Sequence, residues 1–229
     1  MILQVLQHKS QSEPEGRCQL SYVRTHYYIG SLLIRLILKL FWRFKKIGEE
    51  HIPEAGGVII ASNHAAYVDP PFLGAAARRE FFYLAKSELF SNALFGWLIS
   101  KYNAIPVTRG AFDRRAIGRA VELLKEGKAL LLFPEGTRNR DDRFLEPKLG
   151  LGKIALEAGV PIVPAYIHNS GRLLGTFLRR KQLVIGFDLP ISNTFLEKLP
   201  KDKTGYKSVG REIMKRIGMI RQNMNRRNF

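Results

Sequence analysis

Residues 58–79 read VIIASNHAAYVDPPFLGAAARR, and the fold turns on how this stretch is parsed. Val58 to Ala61 is a short β-type run that ends at Ser62-Asn63-His64. Asp69-Pro70-Pro71 then has the form of a helix start, with Asp at the N-cap and Pro at the first helical position. His64 therefore belongs to a loop at the C-terminal end of a strand. On one continuous helix, residues five apart would point about 140° away from each other. In a loop that turns into a helix, His64 and Asp69 can meet.

Outward from this stretch the same alternation recurs. Phe81 to Ala85, Ala129 to Phe133, Ile162 to Ile167 and Leu183 to Phe187 read as further strands. Pro70 to Arg79, Glu88 to Lys101, Phe112 to Glu126 and Leu151 to Ala158 read as helices. The expected class is α/β, with a central, largely parallel sheet flanked by helices. At 229 residues and 45% hydrophobic content, one domain with one substantial core is expected, and no internal repeat or low-complexity block interrupts it.

The ends of the chain carry much of the charge. Residues 1–20 read as a mobile polar tail. Tyr27 to Phe44, YYIGSLLIRLILKLFWRF, is strongly apolar, with Ser31, Arg35, Lys39 and Arg43 recurring every fourth residue as one polar stripe on a helix. Two charges at the centre of a spanning helix would each cost about 2.5–3.5 kcal/mol. The stretch therefore suits a membrane-interface helix whose Arg and Lys stems snorkel to the headgroups, and a helix packed on the protein's own core stays open beside it. Tyr206 to Phe229 places Val209, Ile213, Ile217 and Ile220 at helical spacing among Lys207, Arg211, Lys215, Arg216 and Arg221. It covers the sheet or makes a second contact with membrane or carrier.

A formal net charge of +17 favours anionic partners. Its cations are spread through helices without an interleaved aromatic signature, so no nucleic-acid partner is expected. Cys18 is the single cysteine, which excludes a disulfide framework and a CxxC metal site. No basic segment precedes the short apolar run at Met1 to Leu6 and no small-residue cleavage site follows, so a secretory signal is not expected and the cytoplasm is the default.

His64 beside Asp69 is a competent general base, because a carboxylate fixes the imidazole tautomer and stabilises the imidazolium. Neither Ser62 nor Cys18 sits in a nucleophile elbow, so the base is expected to activate a hydroxyl of a bound substrate. Ala129 to Arg138, ALLLFPEGTR, runs a strand straight into a carboxylate, a Gly, a hydroxyl and an Arg. Ligands of α/β proteins bind at such strand ends, and Arg suits bidentate phosphate recognition. A salt-bridged loop would use the same residues. Ile105 to Gly110 also ends a short β-type run with an Arg.

These segments resemble the four motifs of the glycerolipid acyltransferase family. Asn63 to Asp69 is similar to its HxxxxD motif, Ile105-Pro106-Val107-Thr108-Arg109 to its second, Phe133 to Arg138 to its third and Val160 to Pro164 to its fourth, in order across residues 56–187. The resemblance implies a general base at His64 oriented by Asp69. It implies acceptor binding by Arg109, Glu135, Gly136, Thr137 and Arg138, with Lys148 as a further basic residue. It implies transfer from acyl-CoA or acyl-carrier protein to the 2-hydroxyl of lysophosphatidic acid, with no metal or other cofactor. The place implied is an anionic membrane surface on the cytoplasmic face, reached through residues 21–48, with the acyltransferase domain in 49–229. Thr108 and Asn139 depart from commoner versions of the motifs, which leaves glycerol-3-phosphate or another lysolipid open as acceptor, and a non-catalytic lipid-binding protein is the remaining alternative. Donors to the tetrahedral oxyanion are expected from backbone N–H groups at the start of the helix after Asp69.

Overall fold

The computed structural model describes residues 15–108, 113–141, 143–178, 181–227 and 229, with side chains from residue 25 onward. Residues 1–14 of the expected tail, and Arg109, lie outside the described residues.

Seven described strands form one sheet in the order β1-β7-β6-β2-β5-β3-β4. They are β1 (Lys45–Ile47), β2 (Val58–Ser62), β3 (Phe81–Lys86), β4 (Ala104–Val107), β5 (Ala129–Leu132), β6 (Ile162–His168) and β7 (Val184–Phe187). All neighbours are parallel except β6 and β7. The C-terminal ends of β2, β3, β4, β5 and β6 therefore share one edge, and the motif loops leave from it. β2 lies mid-sheet and is buried throughout. Its residues alternate between two cores. Ile59 and Ala61 pack with α4 (Arg114–Lys125), α5 (Leu149–Ala158) and α8 (Lys203–Arg226), while Val58 and Ile60 pack on the face covered by α1 (Glu15–Trp42) and α2 (Asp69–Ala76).

The structure corrects several expectations. β1 belongs to the sheet, paired with β7, although three residues with two lysines give no periodicity to read; it also lies on the far side of the boundary expected at residue 48. The single helix expected over Glu88 to Lys101 is broken into a 3-10 turn at Ser87–Phe90 and α3 (Ala93–Lys101), because the Asn92 side chain caps α3 by accepting from Phe95 N at 2.9 Å. Asp69 is not the N-cap of α2. Val68 holds that position and Asp69 is the first helical residue, its carboxylate turned back onto the preceding loop.

The long helix α1 begins at Glu15, inside the stretch read as a tail, and its polar stripe faces the protein rather than headgroups over its central turns. Ser31 is buried, and Arg35 donates from Nε to the Ala75 carbonyl and from Nη2 to the Ala77 carbonyl at the end of α2. A cation at these carbonyls also meets the negative end of the helix dipole. Tyr27 and Leu38 are buried on the same side, and Phe81 N donates to Tyr27 Oη at 3.0 Å. Burial pushes the Tyr27 phenol well above its ordinary pKa. Gly74 of α2 is small for this reason: a Cβ there would lie 2.6 Å from Tyr27 Oη. The opposite side of α1 exposes Ile29, Leu32, Leu33, Leu36, Ile37, Leu40 and Phe41, with Leu40 76% exposed. Exposed Leu94 and Trp97 of α3 and Leu174 and Leu178 of α6 (Leu173–Leu178) extend this apolar surface, and the Phe177 ring lies 6.1 Å from those of Phe41 and Trp42. No described helix is long and apolar enough to cross a membrane.

At the other end of the chain, α8 buries Val209, Ile213 and Ile217 against α5 and β6, and Met224 lies over Gly186 of β7. Lys207, Arg211 and Lys215 stay exposed, and Arg216 Nε pairs with Asp188 Oδ2 at 2.6 Å. The sheet-covering alternative is the one observed.

Candidate active site

The loop between β2 and α2 carries His64 and leads into Asp69, the first residue of α2. Asp69 is fully buried, and its Oδ2 accepts from Ala65 N at 2.6 Å, from Ala66 N at 2.7 Å and from His64 Nδ1 at 2.8 Å. Three donors on one oxygen fix both the loop and the carboxylate. The acceptor at Nδ1 selects the imidazole tautomer with its proton there and leaves Nε2 free to take one. The ring is also held by its face, stacked on Phe133 at 4.0 Å with an interplanar angle of 18°. Phe133 follows β5 directly, so the loop after β2 supplies the imidazole and the end of β5 supplies the plate beneath it.

Two asparagines lock this loop to neighbouring strands. Asn63 Nδ2 donates to the Ile167 carbonyl at 3.1 Å and its Oδ1 accepts from Ile167 N at 2.8 Å, an amide-to-backbone pair that ties the loop to β6. Asn139 N donates to the His64 carbonyl at 2.7 Å, and its side chain donates to Glu135 Oε2 at 2.8 Å. Glu135 is buried, and Oε2 also accepts from Leu145 N at 2.9 Å. The Glu135 carboxylate thus shapes its own loop. Gly136 sits at φ +66°, which favours Gly, and a Cβ there would lie 2.9 Å from Lys148 Cγ. Lys148 is held alongside by its N–H, which donates to the Pro134 carbonyl at 2.8 Å.

Arg138 lies with its guanidinium carbon 3.5 Å from the centre of the Tyr67 ring, which joins the HxxxxD loop to the loop after β5. Thr137, Arg138 and Lys148 are exposed. The structure therefore brings His64, Asp69, Glu135, Gly136, Thr137, Arg138 and Lys148 to one edge of the sheet. Tyr67 and Phe133 stood inside quoted motifs without a role; an aromatic residue next to a candidate base or a cation was the available signal.

The first turn of α2 offers no oxyanion donors, contrary to expectation. Asp69 N is spent on the Ala66 carbonyl, Pro70 and Pro71 have no N–H, and Phe72 N is spent on the Val68 carbonyl. Ala65 N and Ala66 N are spent on Asp69. Among the described residues, no group of three or more His, Cys, Asp or Glu side chains is placed to hold a metal ion.

Comparison with known proteins extends these observations. Over 155 residues the chain is 34% identical to the 1-acyl-sn-glycerol-3-phosphate acyltransferase of Bacillus subtilis, covering 67% of this chain and 77% of that one. It is 29% identical over 156 residues to the chloroplastic 1-acyl-sn-glycerol-3-phosphate acyltransferase LPAT1 of Arabidopsis thaliana, covering 66% of this chain and 43% of the plant protein, and so spans less than half of that relative's length. The crystal structure of the 1-acyl-sn-glycerophosphate acyltransferase of Thermotoga maritima shares the fold, with a TM-score of 0.70 over 90% of this chain and 83% of the other at 23% identity. Residues 43–168, more than half of the chain, match the family model described as Acyltransferase, and they take in both β2 with its His64–Asp69 loop and β5 with its Arg138 loop. By that match and the two-thirds alignment to the Bacillus protein, the chain belongs to the acyltransferase family.

Proposed function

We propose that this protein transfers a fatty acyl group from acyl-CoA or acyl-carrier protein to the 2-hydroxyl of lysophosphatidic acid, giving phosphatidic acid. The observation that carries the reading is the His64 Nδ1 to Asp69 Oδ2 bond at 2.8 Å in a loop whose neighbouring hydroxyl, Ser62, is buried and turned to Asn63 Oδ1 at 3.4 Å. A base so arranged acts on a substrate. His64 Nε2 takes the proton of the 2-hydroxyl as its oxygen attacks the thioester carbonyl. The tetrahedral adduct then expels the donor thiolate, which receives the proton from the imidazolium. No acyl-enzyme forms. Asp69 offsets the imidazolium charge while it exists.

Arg138 and Lys148 supply positive charge for the acceptor phosphate, and Thr137 a hydroxyl beside it; Glu135 and Gly136 give the loop its shape. Arg109 completes this set through the second motif. The names of the relatives support the phosphate-bearing acceptor. The exposed apolar face of α1 supports a peripheral or monotopic position, on the cytoplasmic face of the cell membrane, where an acceptor can be reached sideways from the bilayer.

His64→Ala is the test, with purified protein, acyl-CoA and acyl-carrier donors, and product mass as readout. Transfer should fall by about 10²–10⁴-fold, the range of general-base contributions, while the melting temperature holds. Substantial residual transfer would defeat the mechanism. A wild-type protein that acylates glycerol-3-phosphate or a phosphate-free lysolipid in preference to lysophosphatidic acid would defeat the acceptor assignment.

A further inference from the structure

A second concavity lies on the other flank of the catalytic loop. The end of β6, the 3-10 turn Ser170–Arg172, α6, the loop after β5 and one residue of α8 enclose about 600 Å³. This falls in the size range of small-molecule and cofactor sites. Asn63 and Ala65, the two neighbours of His64 in sequence, form part of its wall, whereas His64, Tyr67, Arg138 and Lys148 do not. The turn at Gly171 packs against Ala65, and Arg140 Nε donates to the Ala65 carbonyl at 3.4 Å, so the cavity is built onto the loop that carries the base.

Its chemistry is that of an anion site. Arg140, Arg172, Lys181 and Arg221 line it against two carboxylates, Asp141 and Glu135, and Glu135 is already engaged by Asn139 and Leu145. No ion pair described among these residues uses Arg140, Arg172 or Lys181. Ser170, also in the wall, is 2% exposed and its Oγ makes no hydrogen bond within the described protein. A buried hydroxyl without a partner is costly, and one lining a cationic cavity points to a polar ligand. Burial pushes His168 below its ordinary pKa, so the cationic character rests on the Arg and Lys side chains.

The reaction proposed above has two anionic reactants. The acceptor phosphate belongs with Arg138 and Lys148 on the flank of Tyr67, which leaves the donor for this one. We propose that the cavity holds the phosphopantetheine arm of the acyl donor, its phosphate against Arg140, Arg172 and Lys181 and its thioester led past Asn63 and Ala65 to His64. The inference rests on the acyl-transfer reading. Phosphopantetheine is common to acyl-CoA and acyl-carrier protein, so one site serves either source. Its two amides suit polar walls, and Phe144 and Tyr166 offer rings to its gem-dimethyl carbon. Gly175 and Thr176 of α6 face the cavity while Leu174 and Leu178 are exposed on the apolar surface, so a single helix separates the arm from the lipid-facing side.

The double variant Arg172→Ala/Lys181→Ala tests the site. Both side chains are exposed, so the melting temperature should hold. KM is measured for acyl-CoA, acyl-carrier protein, S-acyl pantetheine lacking the phosphate, and lysophosphatidic acid. The KM for acyl-CoA and for acyl-carrier protein should each rise about tenfold or more, as expected for lost charge-assisted contacts, with the other two unchanged. An equal rise for the phosphate-free donor, or a rise for the acceptor, overturns the assignment. A rise for acyl-CoA alone moves the cations to the nucleotide phosphates, and a rise for the carrier alone moves them to the carrier's surface; either also overturns it. Unchanged donor KM values in the variant beside normal wild-type transfer remove this site only. A wild-type protein that transfers from none of the donors removes the reaction itself.

Discussion

The two long helices, α1 and α8, both mix aliphatic with basic residues, α1 being the more aliphatic and α8 the more basic, and do opposite things with them. α8 turns Val209, Ile213 and Ile217 onto the sheet and leaves Lys207, Arg211 and Lys215 in solvent. α1 turns Ser31 and Arg35 inward and leaves Leu32, Leu33, Leu36 and Leu40 outside. One helix completes a core, and the other presents a surface. The difference teaches that an amphipathic pattern gives a helix two faces without saying which faces the protein. That choice is made by the partner: α8 meets the apolar face of α5 and β6, whereas α1 meets the carbonyl end of α2, which a guanidinium satisfies and a leucine cannot.

Four substitutions would break or sharpen this contrast, in falling order of their effect on stability. Ile213→Ala in α8 opens a cavity in a fully buried position and should cost about 2–5 kcal/mol in chemical denaturation. A loss below about 1 kcal/mol would mean that α8 is not a core element. Arg35→Ala in α1 removes two hydrogen bonds from a charged group and should cost about 1.5–3 kcal/mol, while Lys39→Ala one turn on should stay within about 0.5 kcal/mol. Equal effects of the two would return the polar stripe to the solvent side. Leu40→Asp should leave the melting curve nearly unmoved and lower binding to anionic lipid vesicles about tenfold or more, since a leucine buried in lipid contributes roughly 1.5–3 kcal/mol. Unchanged vesicle binding would strip the apolar face of its membrane role.

How much of this was readable from residues alone depends on the range of the interactions involved. The His64–Asp69 pair was legible because a strand end, five residues and a helix start confine it locally. The strands were legible because buried parallel strands are short apolar runs, and β1 was not, since Lys45-Lys46-Ile47 is placed by its pairing with β7. The side of α1 that faces the protein depended on carbonyls 40 and 42 residues away in Ala75 and Ala77. The inward turn of Glu135 depended on Asn139 and Leu145, two donors in a loop without a pattern. The oxyanion expectation is a different case: Pro70-Pro71 announces the missing N–H groups in the sequence itself, and the helix-start rule overlooked them.

The eight residues of α2 span roughly 12 Å at 1.5 Å per residue. At one end Asp69 fixes the base; at the other, Arg35 of α1 grips the carbonyls. Two helical turns act as a rigid strut between the helix with the apolar outer face and the loop that holds His64. The exposed apolar surface and the candidate base thus share one beam, and a shift of the first is a misalignment of the second.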